Sequence, residues 1–226
     1  MSEQPTVPTV SRDGELVVLD LGDGENRLDA DWVDAVEAAL REAEALEAPR
    51  ALVTVASGKF WSNGLDLEWM GANGDQVEAF IGRVHGVFAS FLGSGVPSVA
   101  AVQGHCFAAG AMFALAHDQV VMREDRGFFC LPEIDIRLPF TPGMNALLSS
   151  RLAPAVAHEA MTTGRRYGGA EAAAAGIVAT AVAEDRVREE AYERARGRAG
   201  SDPATLAAIK QRLYAETLAI LRGPQA

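Results

Sequence analysis

Two features of this chain suit chemistry on a carbonyl. The run PSVAAVQG (97–104) reads as a buried strand, and the small-residue turn HCFAAG (105–110) carries it into an apolar helix that closes at Asp118. A strand feeding a helix through small residues leaves backbone N–H groups unpaired at the positive end of the helix dipole, where they can hold a developing oxyanion. Fifteen residues after Asp118, Glu133 stands in the largely apolar segment FFCLPEIDIRLPF. A carboxylate there can move protons. Burial among Phe128, Phe129, Leu131, Ile134, Leu138 and Phe140 should raise its pKa and suit it to that task. No metal is needed for such chemistry.

Other reactive side chains have plainer readings. Cys106 precedes the helix start, but no His–Asp constellation accompanies it, so it reads as a small buried residue rather than a nucleophile. Asp66 reads as a helix cap, and Asp118 as the residue that ends a helix and orders the next strand. Asp135 would share a face with Glu133 if the segment were extended, either as a hydrogen-bonding helper or as a solvated carboxylate. His105 flanks the turn and is placed to touch a ligand, whereas His85, His117 and His158 are scattered without metal-ligand spacing. Phe107, Trp61, Trp69 and Met112 either line an apolar pocket or simply fill the core.

Composition narrows the classes. The 226 residues suffice for one substantial core, with 49% hydrophobic and 23% charged residues. A net charge of −11 with no basic stripe argues against nucleic acid as a partner. Almost all the positive charge is Arg, Lys occurring only at positions 59 and 210. The two cysteines form no CxxC pair, and the N-terminus shows neither a basic nor an apolar leader segment. No apolar run reaches membrane-spanning length, so the expectation is a cytoplasmic protein with no membrane partner.

The elements that must position these residues follow from periodicity. Strands are expected at LVVLDL (16–21), ALVTVAS (51–57), VPSVAAVQG (96–104), QVVM and GFFCL, with helices at 30–46 behind the cap Asp29 and at about 75–92. FWSNGLDLEWM reads as a loop entering a short helix. After Thr141 the chain is nearly all helical apart from a short strand around IVATAV, and Pro203 starts the last helix at its first turn. The class is α/β, divided into a core over 1–140 and a mainly helical C-terminal region over 141–226, read as continuous with the core.

Four blocks, in order and with matching spacing, then resemble the crotonase (enoyl-CoA hydratase/isomerase) superfamily. They are GKFWSNGLDL, VPSVAAVQGHCFAAGAMFALAHD, FFCLPEIDIRLPFTPGMNALL and MTTGRRYGGAEAAAAGIV. The resemblance implies a spiral of ββα units, a coenzyme-A thioester as ligand with no separate cofactor, and a homotrimer or hexamer. It implies that the backbone N–H groups of Leu65 and Ala109 grip the thioester carbonyl. It also places the nucleotide between the turn at Arg27–Leu28 and the loop Ser62, Asn63, Gly64 and Asp66, with Arg27 and Lys59 as candidates for phosphate contacts. Phe107, Gly110, Met112 and Phe140 would border the acyl group. The family's glycine triplet reads Ala108–Ala109–Gly110 here, and an alanine tolerates the helical backbone expected at a helix start.

Hydratases of the family use two glutamates. The first falls here on Met112 and the second on Glu133, which argues against ordinary hydration. The stretch PEIDIRLPF is similar to "E-V-D-I-G-L-P" in single-glutamate Δ3,Δ2-enoyl-CoA isomerases, with Arg137 where those have Gly. A guanidinium reaching Glu133 would oppose its raised pKa. The expected activity is therefore isomerisation of 3-enoyl-CoA to 2-enoyl-CoA. The alternatives are another crotonase chemistry (hydratase or thioesterase) and a catalytically weak acyl-CoA-binding protein.

Overall fold

The computed structural model describes residues 7–223; the reading of a leaderless N-terminus begins in residues 1–6, outside them. In chain order the strands are β1 (Thr9–Asp13), β2 (Leu16–Asp20), β3 (Ala51–Val55), β4 (Phe60–Ser62), β5 (Ser98–Val102), β6 (His105–Phe107), β7 (Gln119–Arg123), β8 (Phe129–Cys130) and β9 (Thr180–Val182). The large sheet runs β1-β2-β3-β5-β7-β9 and the small one β4-β6-β8. Among the strand pairs of the described residues only β1–β2 is antiparallel.

The apolar runs LVVL, ALVTV and SVAAV explain this arrangement, because strands buried on both faces belong in a covered parallel sheet. Their residues divide by the two-residue period. Val17, Leu19 and Leu52 join one core, whereas Leu16, Val18, Ala51 and Val53 join a second. The first core also holds residues of α1 (Ala30–Ala45), α3 (Val77–Gly93) and α4 (Ala109–Ala116). The second is covered by Val187, Ala191 and Ala195 of α9 (Val187–Arg196).

The chain winds as a spiral. β3, β5 and β7 of the large sheet are each followed by a strand of the small sheet and then by helix: α2 (Leu67–Ala72) and α3, then α4, then α5 (Glu133–Ile136). The remaining helices are α6 (Pro142–Arg151), α7 (Pro154–Thr163), α8 (Gly169–Ala174), α10 (Pro203–Leu213) and α11 (Ala215–Arg222). Among the described residues no helix is long and apolar enough to cross a membrane.

Local chemistry accounts for the boundaries. The Asp29 side chain caps α1 by accepting from the Trp32 N–H, Asp66 caps α2 from Glu68 and Trp69, and Asp202 caps α10 ahead of Pro203. The expected single last helix is instead two, broken at Tyr214, whose φ of −109° and ψ of 23° are not helical. β1, β4 and β6 were not expected; Phe60–Ser62 reads as loop from the sequence alone. The segment after Pro132 is a helical turn rather than a strand, so Asp135 points to solvent and shares no face with Glu133.

Candidate active site

The turn between β6 and α4 is held from both sides. The Ala108 N–H donates to the Cys130 carbonyl of β8 at 3.0 Å, fixing the start of α4 to the strand that leads to Glu133. On the other side lies the loop after β4. The Leu28 N–H donates to the Gly64 carbonyl at 2.8 Å, and the Asp66 N–H to the Leu28 carbonyl at 2.9 Å. Gly64 has φ +84°, and a Cβ there would sit 3.2 Å from the Ala109 nitrogen and 2.9 Å from the Ala108 Cβ. Only glycine allows this approach, which brings the Leu65 and Ala109 backbones together. Among the described residues neither of those two N–H groups meets an acceptor.

Ala108 departs from expectation. Its φ of +50° with ψ of −127° is not helical but lies in a region that disfavours any residue with a Cβ, so the substitution in the glycine triplet carries backbone strain. Gly110 needs its missing side chain, since a Cβ there would lie 2.5 Å from Ser62 Oγ. Ser62 is itself buried and donates to the Asn26 carbonyl.

At its far end α4 is tied down by charge. Arg151 donates from Nε to the Leu115 carbonyl at 2.7 Å, and from its terminal nitrogens to the His117 carbonyl at 2.9 Å and the Tyr214 hydroxyl at 2.6 Å. The Lys210 ammonium, nearly buried, meets Asp118 at 2.7 Å and the Phe91 carbonyl at 3.1 Å. Asp118 also accepts from the Ser98 N–H at 2.9 Å. It therefore joins helix end, strand start and C-terminal helix. His117 is buried neutral, its pKa pushed down to about 3 by desolvation. A carbonyl only accepts, so the Nδ1 proton points at the Phe113 oxygen and Nε2 accepts from Thr54.

Glu133 opens α5. It is 4% exposed, and its Oε2 is buried without a partner among the described residues. Burial raises its pKa from 4.5 to about 7, against a smaller opposing effect of its own backbone N–H. Arg137 takes no part in that balance. The apolar neighbourhood is less enclosed than expected: Ile134 is 55% exposed, and Phe128 and Leu138 are both 37% exposed. Glu133 borders an open cleft of about 740 Å³ that runs over Ile134, Arg137, Leu138 and Phe140 toward Met161 of α7.

The remaining candidates divide. Trp61 and Met112 are fully buried in the core, Trp61 lying against Phe113 with ring centres 5.7 Å apart. Trp69 packs against Phe80 in a tilted arrangement, with ring centres 4.8 Å apart. Phe107 and His105 lie on the small sheet with centroids 5.0 Å apart, and Phe140 lines the cleft. Cys106 and Cys130 are buried, and desolvation pushes both thiols up, Cys130 to about 11, which removes them as nucleophiles. Leu28 is fully buried, and its backbone bridges to the loop that holds Leu65. Arg27 pairs with Glu25 at 2.5 Å and lies 3.8 Å from Asp66, while Asn63 reaches the same Glu25 at 3.4 Å. Lys59 lies over the Phe60 ring at 4.9 Å. The Lys210–Asp118 anchor had no local signal in the sequence.

A mostly parallel large sheet and a small parallel sheet whose strands alternate along a ββα spiral, with helix α4 starting beside a glycine loop, define a crotonase-fold protein. The chain belongs to the enoyl-CoA hydratase/isomerase family, whose model matches residues 15–222. It is 34% identical over 230 residues to the peroxisomal enoyl-CoA delta isomerase 2 of Arabidopsis thaliana, covering 94% of each chain. It is 36% identical over 180 residues to enoyl-CoA delta isomerase 3 of the same plant, covering 76% of each. Its fold matches that of an apo enoyl-CoA isomerase of Mycobacterium tuberculosis with a TM-score of 0.89 and 24% identity, over 97% of this chain and 96% of that one.

Proposed function

We propose that this chain is an enoyl-CoA isomerase that moves a double bond from C3=C4 to C2=C3 of an acyl-CoA thioester. One observation carries the reading: Glu133 is the one acidic side chain buried among the described residues, and it has an unpartnered oxygen and a pKa near 7. In the proposed mechanism the Leu65 and Ala109 N–H groups hold the thioester oxygen. The Glu133 carboxylate takes a proton from C2, the negative charge of the dienolate rests on that oxygen, and the resulting carboxylic acid returns the proton at C4. The shift is redox-neutral, so no cofactor is called on beyond the coenzyme A of the substrate.

Hydration would need a second acid/base group to handle water, and Met112 stands at its position, wholly inside the core. The loop Ser62–Asp66 with Arg27 and Lys59 is the proposed nucleotide contact. A homotrimer or hexamer in the cytoplasm completes the proposal, and light scattering on the purified protein checks the assembly.

The test is turnover of a 3-enoyl-CoA and a 2-enoyl-CoA side by side, by wild type and Glu133→Gln. The expected result is conversion of the 3-enoyl substrate alone, reduced about 1000-fold in the variant with thioester binding retained. Its kcat/KM should rise through about pH 7 as Glu133 becomes a carboxylate. A fully active Glu133→Gln variant would falsify the mechanism.

A further inference from the structure

The acyl cleft carries a cation that the isomerisation does not use. Arg137 follows α5 with φ +59° and ψ 35°, the left-handed region that disfavours residues with a Cβ. It stands where the similar isomerase motif has Gly, so the chain accepts backbone strain in order to place an arginine there. The guanidinium borders the same cleft as Glu133 yet has no hydrogen bond or ion pair among the described residues. Glu133 is the only acidic side chain in that lining. Among the described residues no ion pair or hydrogen bond joins Arg137 to Glu133, so the guanidinium is left open to a ligand in the cleft. Glu133 itself borders the cleft, so an acyl chain whose C2 and C4 meet Glu133 in the proposed mechanism continues into it. Ile134, Leu138, Phe140 and Met161 line the same cleft and give that chain an apolar surface.

Resting on the isomerase reading, we propose that Arg137 selects acyl-CoA thioesters whose chain ends in a carboxylate. A planar guanidinium with free donors in an apolar cleft is matched to that group, which accepts two parallel N–H···O bonds. A methyl terminus offers it nothing.

The test separates binding from turnover. Saturated thioesters avoid chemistry, so adipoyl-, suberoyl- and sebacoyl-CoA are titrated calorimetrically against hexanoyl-, octanoyl- and decanoyl-CoA. The expected result is a preference of about 10-fold for the dicarboxylic partner at one chain length, weakening as salt is raised. Arg137→Gly, which relieves the strained backbone and so does not endanger folding, should bring that ratio close to one, and Arg137→Lys should keep part of it. Equal affinities in wild type at every length, or a preference that survives Arg137→Gly, overturn the proposal. Turnover of 3-hexenoyl-CoA reports separately on the isomerase reading, because that substrate has no carboxylate for Arg137 to meet.

Discussion

The two halves of the site are built in opposite ways. The proposed carbonyl-holding half, Gly64–Leu65 against Ala108–Gly110, sits at the head of a helix in which every residue is buried and whose far end is tied by Arg151, Asp118 and Lys210. The acyl half is a single helical turn followed by loop, with Ile134 55% and Ile136 46% exposed. Only Glu133 is drawn inside. The reaction's charge must be met at fixed distances, so the core holds those donors rigidly. On the proposed mechanism the chain beyond C4 only has to be accommodated, so the surface that would meet it is free to differ, as at Arg137.

Four substitutions break or sharpen this contrast. The largest effect is on the acyl half and concerns stability. A carboxyl whose pKa is raised on folding destabilises the folded state once it ionises, so the penalty is absent below about pH 4.5, grows through about pH 7 and is full above it. A rise from 4.5 to about 7 corresponds to about 3 kcal/mol. Glu133→Gln should therefore be more stable than wild type at pH 9 and equal to it at pH 4 in urea unfolding. Equal stability at both values would mean that the carboxylate is solvated.

On the carbonyl half, Gly64→Ala pushes a methyl against Ala108 and the Ala109 nitrogen. Displacing one donor in this way should cost about 100-fold in kcat with little change in thioester affinity. Asp118→Asn leaves the buried Lys210 ammonium without its counter-charge. Because Asp118 is itself 28% exposed, the cost should be about 2 kcal/mol, less than for breaking a fully buried pair, read from the denaturation midpoint. The smallest effect is a gain: Ala108→Gly should relieve a φ of +50° and raise stability by about 1 kcal/mol, where glycine elsewhere weakens a fold. A loss at Ala108→Gly would show that the Ala108 methyl packs more favourably than its backbone is strained.

The sequence revealed what depends on neighbours along the chain. Strands β2, β3 and β5 were legible because their residues are apolar on both faces, the caps Asp29 and Asp66 because a short acceptor precedes each helix, and the start of α10 because Pro203 opens it. β1 was not, since TVSRD is mostly exposed and becomes a strand only through pairing with β2. The burial of Glu133 was legible from its apolar neighbours, although several of those neighbours face water. The backbone of Ala108 was not legible, because the Cys130 carbonyl and the approach of Gly64 set it from distant parts of the chain. Lys210 likewise reaches a carbonyl 119 residues back, beyond any local pattern.

That reach bears on synthesis. The large sheet grows from β2 to β9 by adding each strand beside one already made, so the emerging chain can dock in the order the ribosome releases it. The exception is the closing pair α10–α11, which supplies Lys210 and the Tyr214 hydroxyl to elements finished long before. Until those last residues arrive, Asp118 lacks its ammonium partner and Arg151 lacks the Tyr214 hydroxyl. The interval between the two events is when a quality-control protease would find the end of this helix least secured.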